Sequence, residues 1–162
     1  MKNFMLAKET PPSKKRILIV EDDFLMRELL KFKLSKRGFE VATAKNEKEF
    51  WYAAFKENPN LILLDLWLAN KIGVDIYDRL IDFGFDPQIP VIFITGYIQT
   101  GSPRPIRIKK NQVFLSKPFD FDQLMIAVNQ FLDKSVGESV DAHRLHAAER
   151  GGDFRKSVYL RR

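Results

Sequence analysis

The sequence predicts an α/β fold, a doubly wound five-stranded parallel sheet, on three observations. Short apolar runs alternate with segments of helical length and composition along the chain. The runs Ile17 to Val20, Leu61 to Leu64 and Val91 to Ile94 are apolar at successive rather than alternate positions, as in strands covered on both faces. Each of them ends abruptly on polar residues, which places polar side chains along one edge of the sheet.

The elements follow in order. Residues 1–15, with Lys8, Pro11, Pro12, Lys14 and Lys15, have no hydrophobic period and read as a flexible basic leader to a domain spanning 16–133. Ile17 to Val20 form the first strand and give way to Glu21, Asp22 and Asp23. Phe24 to Arg37 is rich in helix formers, carries Leu25, Met26, Leu29, Leu30, Phe32 and Leu34 as its apolar residues, and stops at Gly38. Val41 to Ala44 is a second strand. Asn46 caps a helix running through Lys56, with Glu49 completing the capping pattern and Pro59 marking the exit. Leu61 to Leu64 ends on Asp65, and a loop with Asn70 and Gly73 leads to a helix, Val74 to Phe83, whose Val74, Tyr77, Leu80 and Ile81 share one face. Val91 to Ile94 ends at Thr95 and Gly96. Between Tyr97 and Asn111 stand Gly101, Pro103 and Pro105; an interior Pro costs a helix about 3 kcal/mol, so the fourth helix is expected to be irregular or shortened. Val113 to Leu115 ends at Ser116, Lys117 and Pro118, and Phe121, Leu124, Met125, Val128, Phe131 and Leu132 pattern the last helix. Residues 134–162 read as a basic tail, partly helical over Val140 to Arg150, with no recognisable output domain.

Composition narrows the chemistry. The 162 residues have room for one ordinary domain with short appendages, and 45% hydrophobic content can fill its core. With no Cys and only two His, thiolate catalysis, disulfides and Cys-based metal centres are excluded. His143 and His146, three apart with no third ligand nearby, do not read as a metal site. The net charge of +6 sits in the ends: residues 1–16 carry five basic and one acidic side chain and residues 134–162 seven and four, whereas 17–133 carry fifteen and sixteen. A basic groove on the folded body is therefore not expected. No apolar run approaches the roughly 18–20 residues of a membrane span, and charged and Pro residues interrupt any signal-peptide pattern; a cytoplasmic setting is the expectation.

In open α/β sheets ligands bind beyond the carboxyl ends of the strands, where strand order reverses. If the strands lie in the order 2-1-3-4-5, those ends gather Asp22, Asp23, Asp65 and Thr95, with Lys117 at the side, into one acidic pocket; Glu21 reads either as a third metal ligand or, the preferred role, as a solvated loop position. Clustered carboxylates either raise a pKa or hold a cation, and oxygen-only donors select a hard ion, of which Mg²⁺ is the expected one. A central Asp can act as a nucleophile toward phosphorus while a metal and a Lys neutralise the phosphoryl oxygens. The chemistry implied is aspartyl phosphorylation.

The strings ILIVEDD, LILLDL, VIFITGY and FLSKPF resemble the signatures of response regulator receiver domains of two-component signalling, over roughly residues 16 to 133. The spacings are similar to the family's: 42 residues from Asp23 to Asp65, 30 from Asp65 to Thr95 and 22 from Thr95 to Lys117. The resemblance implies a flavodoxin-like receiver fold, Asp65 as phosphoacceptor, and Mg²⁺ held by Asp22, Asp23, Asp65 and the backbone carbonyl of Trp67. It further implies that Thr95 and Lys117 sense the phosphate and that Pro118 follows a cis peptide bond. Leu68 and Ala69 replace the usual Met-Pro, so a differently shaped loop is expected. Phe114 stands at the aromatic switch position and lacks the hydroxyl of a Tyr. Pro90 to Tyr97 resembles the PFxFATGY motif of a subset of receivers, many of them single-domain, which implies a gating role for Tyr97.

The expected function is that of a stand-alone response regulator, a phosphoacceptor switch rather than a metabolic enzyme. Its donor would be a histidine kinase or histidine phosphotransfer protein, and its target would dock on the face of the fourth helix, fifth strand and fifth helix. The state would be a monomer or a phosphorylation-dependent dimer. Two other readings compete. A Mg²⁺-dependent aspartyl phosphohydrolase would need a substrate pocket, for which the chain has no large insertion; nucleic-acid binding would rest on the basic tails alone.

Overall fold

The computed structural model describes residues 14–96 and 109–132. Its elements are β1 (Arg16–Val20), α1 (Phe24–Lys36), β2 (Glu40–Ala44), α2 (Glu47–Glu57), β3 (Leu61–Asp65), β4 (Trp67–Leu68), β5 (Lys71–Ile72), α3 (Gly73–Asp82), β6 (Val91–Thr95), β7 (Gln112–Ser116) and α4 (Phe121–Leu132). Strands β2, β1, β3, β6 and β7 lie side by side in that order, all parallel. This is the predicted 2-1-3-4-5 sheet. The expected irregular fourth helix, Tyr97, the leader up to residue 13 and the tail from 133 lie outside the described residues, and α4 is the helix expected fifth.

The period of two in a strand explains why the central runs are apolar throughout. Ile17 and Ile19 of β1, Leu61 and Leu63 of β3, and Ile92 and Ile94 of β6 face one core, filled by Leu30 and Leu34 of α1 and Leu124, Met125 and Val128 of α4. Their neighbours Leu18, Val20, Ile62, Leu64, Val91 and Phe93 face the other core, filled by Phe50 and Ala54 of α2 and Ile76, Tyr77 and Leu80 of α3. Each fully buried aliphatic side chain contributes about 1.5–3 kcal/mol. The two layers hold the three central strand ends in fixed register, with Leu64 beside Val20 and Asp65 beside Ile94.

Local chemistry sets the boundaries. The Asp23 side chain caps α1 by accepting from the Met26 amide, and Asn46 caps α2 by accepting from the Glu49 amide at 2.9 Å. Helix α1 buries only part of its apolar set: Leu30 and Leu34 are buried, whereas Phe24, Leu25, Leu29 and Phe32 are exposed. Between β3 and α3 the chain forms a tight antiparallel hairpin, β4 with β5, where the sequence predicts a loop. Its two turn residues, Ala69 and Asn70, have φ of 48° and 67°, the left-handed pair that matches hairpin twist.

Candidate functional site

Strand order reverses between β1 and β3, and the polar residues converge in the crevice beyond their carboxyl ends. The Glu21 amide continues the ladder by donating to the Ala44 carbonyl, so the Glu21 side chain turns inward and is 2% exposed. Asp22 follows as an exposed residue. Arg27, one turn into α1, donates to the carbonyl oxygens of Glu21 at 2.7 Å and Asp22 at 3.2 Å, fixing the backbone that carries both acids.

Asp65 ends β3 as a buried carboxylate with two donors. Its Oδ1 accepts from the Trp67 amide at 2.8 Å and its Oδ2 from Lys117 Nζ at 2.8 Å. The same ammonium donates to Glu21 Oε2 at 2.8 Å. Burial pushes the Glu21 carboxyl up to about 7, partly opposed by the hydrogen bond from Lys117. Burial would lower Lys117, but its hydrogen bonds to Asp65 and Glu21 outweigh this and its pKa is raised. The lysine stays a cation throughout the physiological range.

One carboxylate oxygen each from Glu21, Asp22 and Asp65 lie within 4.8 Å of one another. The sequence pattern puts Asp23 in this group and Glu21 outside it; the structure reverses the two. Asp23 is committed to the N-cap of α1, its Oδ1 2.7 Å from the Met26 amide, because the helix starts immediately after it. Glu21, two residues after Ile19 in the strand's alternation, points into the pocket instead. The N-cap signal, an Asp directly before a helical run, is present in the sequence.

The other expected residues fall around this group. Thr95 ends β6, is 1% exposed, and its Oγ1 has no hydrogen-bond partner among the described residues. The Lys117–Pro118 peptide bond is cis. Phe114 is half-buried and stacked on Phe93 at 5.0 Å, and Phe93 meets Tyr77 edge-on at 6.0 Å. The β4–β5 hairpin closes the crevice: its Ala69 amide donates to Asp22 Oδ2 at 3.1 Å, a contact that no pattern in the sequence announces. Gly73 makes this closure feasible, because a Cβ there would stand 2.3 Å from the Asp65 carbonyl oxygen.

A hard divalent cation fits this donor set. All three groups are carboxylates, Asp22 is open to solvent so that a hydrated ion can enter, and an ion bound by one or two carboxylates keeps positions for water and phosphate oxygens. The Thr95 hydroxyl, buried and without a partner among the described residues, could donate to an acceptor oxygen. Two surface cavities, about 610 Å³ beside Arg16 and Tyr52 and about 310 Å³ beside Pro59 and Gly84, are lined by none of the three acids. Among the described residues no helix is long and apolar enough to cross a membrane.

Comparison with known proteins gives one family. The model for the response regulator receiver domain matches residues 17–129. The chain is 32% identical over 119 residues to the transcriptional regulatory protein CrdR of Helicobacter pylori, covering 74% of this chain and 55% of that protein's length. It is 31% identical over 117 residues to sporulation initiation phosphotransferase F of Bacillus subtilis, covering 72% of this chain and 93% of that protein. Among solved structures, the CheY-like receiver domain protein of Methanospirillum hungatei aligns with a TM-score of 0.62 and 26% identity over 75% of this chain and 95% of its own.

Proposed function

Since the chain belongs to the response regulator receiver family, whose members are phosphoacceptor switches rather than enzymes, we propose that it takes a phosphoryl group from a phosphohistidine donor onto Asp65. The observation that carries this reading is the placement of the Asp65 carboxylate between Lys117 and the Trp67 amide, beside Glu21 and Asp22. In the transfer, a bond forms between an Asp65 oxygen and phosphorus while the phosphorus–nitrogen bond of the donor breaks, its electron pair remaining on the imidazole. Glu21, Asp22, Asp65 and the Trp67 carbonyl would hold Mg²⁺, which when bound neutralises charge developing on the phosphoryl oxygens. Lys117 supplies a second cation to the same oxygens, already fixed by two carboxylates.

After transfer the Thr95 hydroxyl gains an acceptor, and its movement toward the phosphoryl group biases the protein between two states. Phe114, held on one side by Phe93, repacks in response, Tyr97 takes a gating role, and the face of β7 and α4 changes toward a downstream protein. The donor is a histidine kinase or a histidine phosphotransfer protein. Phe24, Leu25, Leu29 and Phe32, exposed on the helix that starts beside the acids, offer it an apolar seat. A receiver body over 16–133 with a leader at 1–15 and a basic tail at 134–162 would act as a stand-alone cytoplasmic regulator. In support, phosphotransferase F is matched over 93% of its length, so a relative exists that is little more than this body.

The test is transfer from phosphorylated histidine kinases and phosphotransfer proteins to the full chain, with and without Mg²⁺. Mg²⁺-dependent labelling that Asp65→Ala abolishes is the expected result; equal labelling of the variant rejects the assignment.

A further inference from the structure

We propose that Glu47, Lys71 and Arg79 are positioning residues for the acidic pocket: they hold the β4–β5 hairpin so that the Ala69 amide fixes the Asp22 carboxylate. This role rests on the metal-dependent reading of the pocket and adds a determinant of metal affinity that lies outside it.

Asp22 differs from its two partners. Glu21 and Asp65 are buried and tied by Lys117, whereas Asp22 is exposed and its carboxylate is fixed by the hairpin amide at 3.1 Å. A carboxylate free to rotate loses more conformational freedom on binding an ion, so the position of one amide sets part of the affinity. That amide belongs to the first turn residue of a very short hairpin, and Ala69 has a φ of 48°, a conformation that an alanine adopts only when its surroundings impose it. Two-residue strands do not hold such a turn by themselves.

Two anchors do. Leu68 is 1% exposed in the core beside Leu64 and Tyr77, which fixes the outgoing strand. On the returning strand, Lys71 Nζ lies 2.5 Å from Glu47 Oε2, and Arg79 of α3 binds the other oxygen of the same carboxylate. Glu47 occupies the first turn of α2, directly after the Asn46 cap, so the hairpin is tied to a rigid helix start. The Glu47 carboxylate thus joins α2, β5 and α3, and the restraint of that junction is transmitted along the hairpin to Asp22.

The experiment titrates the full chain with MgCl₂, following the emission of Trp67, which is half-exposed and whose amide bonds Asp65. Thermal midpoints and exchange of the Ala69 amide are measured alongside. Glu47→Gln and Lys71→Met should each weaken Mg²⁺ binding about three-fold, within what partly exposed ion pairs contribute. Their combination should weaken it no further than Glu47→Gln alone, and Lys71→Arg should keep the wild-type affinity. Ala69 amide exchange should quicken in both weakened variants, while the midpoints at pH 7 fall only by the few degrees that a partly exposed ion pair accounts for. Asp22→Asn, which removes the pinned ligand, should lose binding. Unchanged affinity in Glu47→Gln and Lys71→Met, with Asp22→Asn still losing it, overturns the clamp alone. Wild-type affinity in Asp22→Asn overturns both the clamp and the metal reading.

Discussion

Gly73→Ala puts the closure of the crevice to a quantitative test. Gly73 opens α3, and its added Cβ would stand 2.3 Å from the Asp65 carbonyl oxygen and 3.3 Å from Leu64 Cγ. The first distance is more than 1 Å inside an ordinary contact of about 3.5 Å, and the atom met is backbone, which cannot rotate away. Overpacking of this kind costs about 1–3 kcal/mol. Against it stands the helix preference for Ala over Gly, about 1 kcal/mol in a helix interior and less at a first position. The clash wins, leaving a net loss of about 1–2 kcal/mol, equivalent to a fall in melting midpoint on the order of 4–8 °C for a domain of this size. Urea unfolding followed by tryptophan emission measures it, as a lower midpoint concentration at unchanged slope. The displaced atoms belong to Asp65 itself, so phosphoryl transfer should slow by roughly ten-fold or more as well. A variant as stable as wild type, or more stable, would mean that helix preference outweighs the contact and that the hairpin does not fold back onto Asp65 as described.

Other substitutions separate the roles of the neighbouring acids. Asp23→Ala removes the α1 cap and should lower stability by about 1 kcal/mol while leaving Mg²⁺ binding intact; loss of binding would return Asp23 to the metal site. Phe114→Ala loses the stack on Phe93 and should destabilise by about 2 kcal/mol in urea, whereas Phe114→Tyr should stay close to wild type. The Lys71 hydrogen bond lowers the pKa of Glu47 below its ordinary 4.5, so the Glu47 contribution to stability is present above pH 4.5 and is lost as pH falls through its depressed folded value. The stability difference between wild type and Glu47→Gln, measured by urea unfolding from pH 7 downward, should therefore shrink below pH 4.5; a difference that grows on acidification contradicts the pairing.

The sheet is legible because its central strands are buried on both faces, which writes them into the sequence as continuous apolar runs with polar ends. That one property is enough to put Asp65 and Thr95 at strand termini, whereas Lys117 follows the edge strand β7, whose burial is only partial. The acidic pair is harder to read. Glu21, Asp22 and Asp23 are consecutive, and assigning them requires knowing where the strand's alternation stops and the helix cap begins; a shift of one residue exchanges a ligand for a cap. Helix α1 misleads in the opposite direction. Its Leu25, Leu29 and Phe32 are apolar at helical spacing, yet they are exposed, because spacing alone does not say which apolar side chains of a helix meet the sheet. The hairpin is hidden because Ala69 is a poor turn residue; its left-handed backbone is imposed by Leu68, Gly73 and the Glu47 ion pairs, which are tertiary contacts.

The central claim is that Asp65 is where the phosphoryl group arrives. The most direct measurement is to phosphorylate the full chain from a phosphohistidine donor in Mg²⁺, trap the acyl phosphate by reduction with borohydride, and locate the reduced residue by peptide mass mapping. A single modified site at Asp65, absent when Mg²⁺ is chelated, is the predicted result. Reduction mapped to another carboxylate, or a phosphorylated chain with no reduced site at Asp65, would contradict it.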